Sequence, residues 1–167
     1  MSERVVADLT VRADWLAQTT GQVEEPSANG ILEFARHLAY GSGAAQIEKR
    51  WYSRRSLAAG GNETLNLQSL SYTALGISST ISFSTVKAIV VAMLSDVAGL
   101  RVGGTATNEW SAPWISAGQG QRVGAGSPMV LADVVSGWAV TSGARGLLLT
   151  NASGAEVADF DILILGN

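Results

Sequence analysis

Short apolar segments separated by glycine-rich breaks run through most of the chain, and many of them alternate apolar with polar positions. Residues 157–165, for example, place Ala158, Phe160, Ile162 and Ile164 on one face. Alternation with a period of two is the signature of a strand that is buried on one side. Nineteen glycines are spread along the chain and supply turns between such segments. The pattern predicts an all-β fold of about ten strands, arranged as an antiparallel β-sandwich.

The predicted strands are short, and many follow one another at intervals of about 8–12 residues, which is typical of two sheets packed face to face. Residues 86–94 are apolar on both faces, which predicts a place in the centre of a sheet. Residues 31–40 fit either a strand or a short helix, and we predict a strand. The predicted segments are 5–11, 31–40, 46–57, 63–67, 81–83, 86–94, 99–103, 121–123, 129–132, 138–141, 147–150 and 157–165.

Two segments allow sharper predictions. Residues 46–57 alternate cleanly, and Trp51 shares its face with Ile47, so we expect Trp51 to be buried. The strand at 63–67 follows after a turn that contains two glycines. Two strands joined in this way predict a β-hairpin with a loop slightly longer than the minimum.

The first part of the chain has a different character. Its first strand, 5–11, is followed by the charged stretch 12–14, where we expect the strand to end, and residues 19–30 have the composition of a loop or an extended arm. We therefore divide the chain into an N-terminal arm with the first strands, 1–45, and a β-sandwich domain, 46–167. The arm is a candidate for reaching a neighbouring subunit.

Charge is scarce in this chain. Charged residues make up 15% of the sequence, against about 25% in typical domains, so uncharged polar groups or a partner must cover part of the surface. The net charge is −3, and the basic residues Lys49, Arg50, Arg54 and Arg55 divide between the two faces of one strand. This distribution argues against a nucleic-acid partner. The N-terminal sequence predicts no signal peptide and no apolar run is long enough to span a bilayer, so we expect no membrane partner.

Few residues suggest chemistry. The chain has no cysteine and one histidine, His37, and it has no G-x-S-x-G motif around a serine. Asp159 and Asp161 share a strand face and could bridge Ca²⁺, although such a pair is more commonly the solvated side of an edge strand. We expect no catalytic residue, no metal and no cofactor.

The candidate contact residues are Trp110, Trp114, Glu24 and Glu25. The two tryptophans flank a proline in a predicted loop, where they could pack over their own sandwich, fill a pocket on a neighbouring subunit or stack on the sugar rings of a glycan. The two glutamates precede Pro26 in the predicted loop at 19–30.

Several stretches taken together resemble small virion proteins of tailed bacteriophages and prophages, of the capsid decoration (cement) type. They are WYSRRSLAAG (51–60), ETLNL (63–67), FSTVKAI (83–89), LRVGG (100–104), WAVTSG (138–143), LLTNASG (148–154) and FDILILG (160–166). The resemblance covers residue 46 to the end of the chain.

The resemblance implies a non-enzymatic β-sandwich of jelly-roll-like form that sits on the capsid surface of the virion as a homotrimer, binds the major capsid protein and stabilises the shell. Attachment to several shell subunits at once would turn modest contacts into firm binding. Two alternatives remain open at this stage. The chain could be a tail-fibre or needle-tip domain that contacts the host, or a carbohydrate-binding module that uses exposed tryptophans.

Overall fold

A computed structural model describes residues 4–18, 27–74 and 77–167, without the side chains of 16–18, 27–29, 74 and 77. The described chain is all-β, with fourteen strands and no helix. The strands are β1 (Ala7–Gln18), β2 (Ser27–Tyr40), β3 (Gln46–Ile47), β4 (Lys49–Leu57), β5 (Asn62–Asn66), β6 (Leu70–Ala74), β7 (Ile77–Ile81), β8 (Thr85–Met93), β9 (Leu100–Gly103), β10 (Gly120–Val123), β11 (Pro128–Ala132), β12 (Trp138–Ala139), β13 (Gly146–Asn151) and β14 (Ala158–Gly166).

Two antiparallel sheets form the predicted sandwich. One has the strand order β11-β8-β14-β4, with β12 also paired to β8, and the other has the order β10-β9-β13-β5. Inward-facing side chains of both sheets meet in one buried cluster, in which Trp51 and Phe160 from the first sheet accompany Leu147 and Leu149 from the second. The predicted burial of Trp51 is confirmed, since this side chain is 1% exposed. The jelly-roll likeness stays a prediction.

The predicted central position of residues 86–94 is also confirmed, because β8 lies between β14 on one side and β11 and β12 on the other. Its outer face carries a second, smaller core. Ala88 of β8 and Leu165 of β14 pack there against Leu9, Leu38 and other apolar side chains of the N-terminal segment and β3. The first sheet is therefore covered on its inner face and on the part of its outer face next to β1 and β2, which explains why β8 is apolar on both sides.

The hairpin predicted across residues 58–62 is wrong. β4 pairs with β14 in the first sheet, whereas β5 pairs with β13 in the second, so the chain crosses between sheets at this turn. Gly60 adopts a positive φ of 64° and its N–H donates to the Ser153 carbonyl at 2.7 Å. The two glycines correctly predicted a turn at this position. Which strands become neighbours depends on long-range pairing, which the turn residues do not specify.

The N-terminal strands are longer than the sequence suggested. β1 continues through the charged residues 12–14 to Gln18, and β2 starts at Ser27 and includes the predicted strand at 31–40. The last four residues of the predicted loop at 19–30 thus belong to a strand, while 19–26 lie outside the described residues. Arg12 and Asp14 did not end β1, because they point to solvent and pair with each other at 3.0 Å.

Candidate interaction surface

β1 and β2 form a long antiparallel hairpin that packs on the sandwich only near its base. The register is unbroken from Ala7 opposite Leu38 to Gln18 opposite Ser27. At the base, Leu9 and Leu38 are buried in the smaller core. Beyond it, every described side chain of residues 10–15 and 31–36 is exposed, so we call residues 10–18 and 27–36 the arm.

One face of the arm is apolar. Residues directly opposite one another in an antiparallel pair share a face, so Val11 with Phe34 and Ala13 with Leu32 lie on the same face as Trp15. The exposed fractions are 45% for Val11, 54% for Trp15, 72% for Leu32 and 42% for Phe34. On β1 this face continues directly from Leu9, whereas on β2 Arg36 lies between Leu38 and Phe34, with its guanidinium 4.8 Å from the centroid of the Phe34 ring. The arm thus carries an apolar surface, bordered by one arginine, that its own sandwich does not cover.

Glycine makes room for the largest of these side chains. Trp15 lies opposite Gly30, and the indole ring occupies the space in which a Cβ of residue 30 would stand. A side chain at residue 30 would displace the ring from the backbone of β2. The pair therefore holds the Trp15 ring flat on the apolar face, where it can contact a partner.

The opposite face of the arm is charged. The His37 ring nitrogen Nδ1 lies 2.8 Å from the Asp8 carboxylate, and Arg12 contacts Asp14 at 3.0 Å and Glu33 at 3.5 Å. All these side chains are about half or more exposed to solvent. The arm is thus amphipathic, with a solvated side and an unpartnered apolar side.

The two tryptophans that the sequence singled out as candidate contacts, Trp110 and Trp114, pack against the core of the sandwich. Trp110 is 1% exposed, and its indole N–H donates to the Ala139 carbonyl at 2.8 Å. Its ring makes edge-to-face contacts with Trp114 and Trp138, with centroids 6.2 and 6.3 Å apart. Of the three arrangements considered for Trp110, the structure shows the packing over its own sandwich, because the ring is buried in the core. Trp114 is half-buried against the same cluster.

The other sequence candidates add no ligand site. Glu24 and Glu25 lie outside the described residues. Asp161 receives two hydrogen bonds from Arg54, at 2.9 and 3.0 Å, which lower the pKa of the carboxyl group and raise that of the guanidinium. Within the described residues, no group of three or more His, Cys, Asp or Glu side chains could hold a metal.

The basic residues of β4 are also engaged in local contacts. Lys49 donates to the Ser82 carbonyl at 2.8 Å, and Arg55 contacts Glu63 at 2.6 Å. Together with the Arg54–Asp161 pair, these contacts neutralise or occupy three cationic side chains within the protein. Binding of a nucleic-acid backbone would require such cations to contact phosphate groups.

Sequence reasoning missed the apolar face of the arm. The signal was present, because Leu9, Val11, Ala13 and Trp15 alternate without interruption. The charged residues between them looked like the end of a strand, although they only mark its solvated face.

Of the described part of the chain, no helix is long and apolar enough to cross a membrane. Comparison of the chain with protein-family models, with curated proteins and with solved structures found no match in any of the three.

Proposed function

We propose that this chain is a non-enzymatic virion protein of the capsid decoration type, which attaches to neighbouring protein subunits through the apolar face of its arm. The observation that carries the proposal is the continuous apolar surface of Val11, Trp15, Leu32 and Phe34. Contiguous exposed apolar surface on a soluble protein marks an interaction site. A two-stranded hairpin has little stability of its own in water, so a partner that covers one face would also order the arm.

The size of the surface suits attachment to a multivalent shell. Burying a large apolar side chain completely contributes about 1.5–3 kcal/mol. Val11, Trp15 and Phe34 are already roughly half buried and Leu32 is 72% exposed, so the four contribute about 1 kcal/mol each on average. The sum of about 4 kcal/mol is offset in part by the entropy lost on association. One arm alone therefore binds weakly, and several arms joined in one oligomer bind a repeating shell firmly.

The charged face of the arm supports a structural role rather than a catalytic one. Asp8 and His37 form the kind of pair that orients a general base. Among the described residues, however, the His37 ring contacts no serine or threonine hydroxyl that it could activate. The pair instead joins β1 to β2 near the base of the arm.

The resemblance of residues 46–167 to phage virion proteins supplies the partner, which is the major capsid protein, and the location, which is the capsid surface. The tail-fibre alternative would use the same arm on a different partner. The carbohydrate-binding alternative loses its principal support, because Trp110 is buried.

The test uses phage shells that lack this chain. Purified protein should cosediment with them, and the double variant Trp15→Ser with Phe34→Ser should lose binding by at least tenfold. The matched control is Ile115→Ser, which removes an apolar side chain that is 98% exposed and belongs to the loop between β9 and β10. Equal binding of the double variant and the control would exclude the arm as the attachment surface. Failure of the wild-type protein to bind any shell would exclude the capsid as its partner.

A further inference from the structure

The outer edge of β1 has no neighbouring strand among the described residues. The hairpin sheet has the order β1-β2-β3, so β2 is paired on both sides and β1 on one only. Natural proteins protect such edges with short strands, prolines, bulges or charged side chains. The charges of β1 are of both signs, Asp8, Arg12 and Asp14, so they exclude a strand of like pattern only in some registers. β1 has twelve residues, contains no proline and keeps an unbroken register. A long, regular edge of this kind is a template for another strand.

The second copy of this chain offers a matching strand, its own β1. When two identical strands pair antiparallel about a two-fold axis, the numbers of opposite residues always add up to the same even number. Odd residues therefore face odd residues. The apolar face with Val11 and Trp15 then continues across the axis into the apolar face of the second copy.

The charges of β1 select one register. With the axis at Ala13, each Arg12 lies opposite Asp14 of the second copy, and each Val11 lies opposite Trp15 of the second copy. Directly opposite pairs of unlike charge, and aromatic pairs with β-branched residues, both stabilise a sheet. Each contact occurs twice because of the symmetry.

Neighbouring registers lack this complementarity. An axis at Arg12 or at Asp14 places two like charges opposite each other, and an axis at Val11 places Asp8 opposite Asp14. Like charges directly opposite each other destabilise a sheet.

A register centred on Thr10 also pairs unlike charges, namely Arg12 with Asp8. It requires Trp15 to lie opposite Val5 of the second copy, however. Val5 is 5% exposed and belongs to the smaller core, and it precedes the first residue of β1 in the chain. The register at Ala13 instead places its charged pair and its aromatic pair within residues 11–15, whose side chains are all exposed.

We infer that a second copy of this chain pairs with β1 about a two-fold axis at Ala13, which gives a four-stranded sheet of two arms. The inference rests on the proposed role of the arm as an attachment surface and names a partner for its edge. In this arrangement the base of one hairpin lies beside the tip of the other, on the same side of the sheet. The sandwich of each copy is thereby brought next to the apolar face of the other arm.

Charge reversal tests the pairing of the two β1 strands. The variants Arg12→Asp and Asp14→Arg each place like charges opposite one another twice, and each should weaken self-association by roughly tenfold or more. When the two variants are mixed, an acidic strand meets a basic strand. Native mass spectrometry should then show the mixed pair in excess over either variant paired with itself. The contacts within one strand cannot produce this result, because each variant loses them in its own chain.

The matched control is Arg122→Asp, which makes the same charge change at an exposed position of another edge strand, β10. It should associate like the wild-type protein, for which light scattering at micromolar concentration should give about twice the chain mass of 17.3 kDa. Circular dichroism establishes that every variant keeps its β structure.

A wild-type mass of one or three chains, or a mixture without an excess of the mixed pair, would overturn the inference. A three-chain mass is the result expected from the sequence resemblance alone. These outcomes are separate from those of the shell-binding test, because a monomer that binds shells through Trp15 and Phe34 would refute the pairing and retain the attachment surface. A dimer that binds no shell would do the reverse.

Discussion

Replacement of Trp51 by alanine should be among the most destabilising single changes in this protein. The side chain is 1% exposed and lies in the core between the two sheets of the sandwich. Its indole N–H donates to the Ser71 carbonyl at 3.0 Å, and the Arg55 guanidinium lies 5.4 Å from the ring centroid. The substitution removes all three contributions at once, and the cavity it leaves is bounded by strands that cannot close over it.

The expected magnitude follows from these contacts. Truncation of a buried aromatic side chain to alanine costs about 3–5 kcal/mol. Ser71 is exposed, so water can replace the indole as the donor to its carbonyl, and the lost hydrogen bond adds little. We therefore expect a loss of about 4 kcal/mol in the free energy of unfolding, which corresponds to a fall of roughly 10 °C in the melting temperature. Trp51→Phe keeps most of the ring volume and should lose about 1–2 kcal/mol.

Urea denaturation followed by circular dichroism measures both variants. Ile115→Ser is the control, because this residue is almost fully exposed and should change the free energy of unfolding by less than about 0.5 kcal/mol. If Trp51→Ala lost less than about 1 kcal/mol, or no more than Trp51→Phe, the packing described for this part of the core would be wrong.

Three further predictions follow from single side chains. Asn151→Ala should cost about 3 kcal/mol in urea denaturation, because the buried amide donates to the carbonyls of Leu57, Ala58 and Glu156, which would lose their partner; an unchanged urea midpoint would contradict this. Asp161→Asn should lower the urea midpoint at pH 7, because the ion pair with Arg54 stabilises the folded state only while the Asp161 carboxyl group is ionised. Folding lowers the pKa of this carboxyl group below its ordinary value of 3.8, so the difference in midpoint between variant and wild type should shrink as the pH falls below 3.8 and close once Asp161 is protonated. A difference that persists after full protonation would refute the ion pair as its cause. Purified protein should hydrolyse ester and glycoside substrates no faster than buffer, with or without Ca²⁺, and activity that His37→Ala abolishes would overturn the non-enzymatic proposal.

The sandwich illustrates how much periodicity can predict. Alternation in residues 157–165 identified β14 and its buried face, since Phe160, Ile162 and Ile164 are all fully buried. The doubly apolar segment 86–94 was correctly placed in the middle of a sheet. Both predictions depended only on the side-chain pattern of one segment. The sequence could not predict which strands pair, so the turn at 58–62 looked like a hairpin although its two strands enter different sheets.

The candidate interaction surface was predicted less well than the fold. Trp110 and Trp114 were candidate contact residues because they flank a proline in a predicted loop. In the structure Trp110 belongs to the core of the sandwich, and Trp114 packs against it. Burial of a loop side chain depends on what the rest of the chain places above it, and no local pattern contains that information. The arm was expected in the first part of the chain, but its hairpin form and its apolar face were not.

The fold class follows from local sequence alone, because glycine turns and alternating apolar residues leave few alternatives to strands that share a core. The same alternation sets which face of each strand is apolar, including the face with Val11 and Trp15. Which of these apolar faces are covered depends instead on long-range packing. Leu9 and Val11 lie on the same face of the same strand, and one is buried while the other is exposed, because the sandwich reaches the base of the hairpin and ends there.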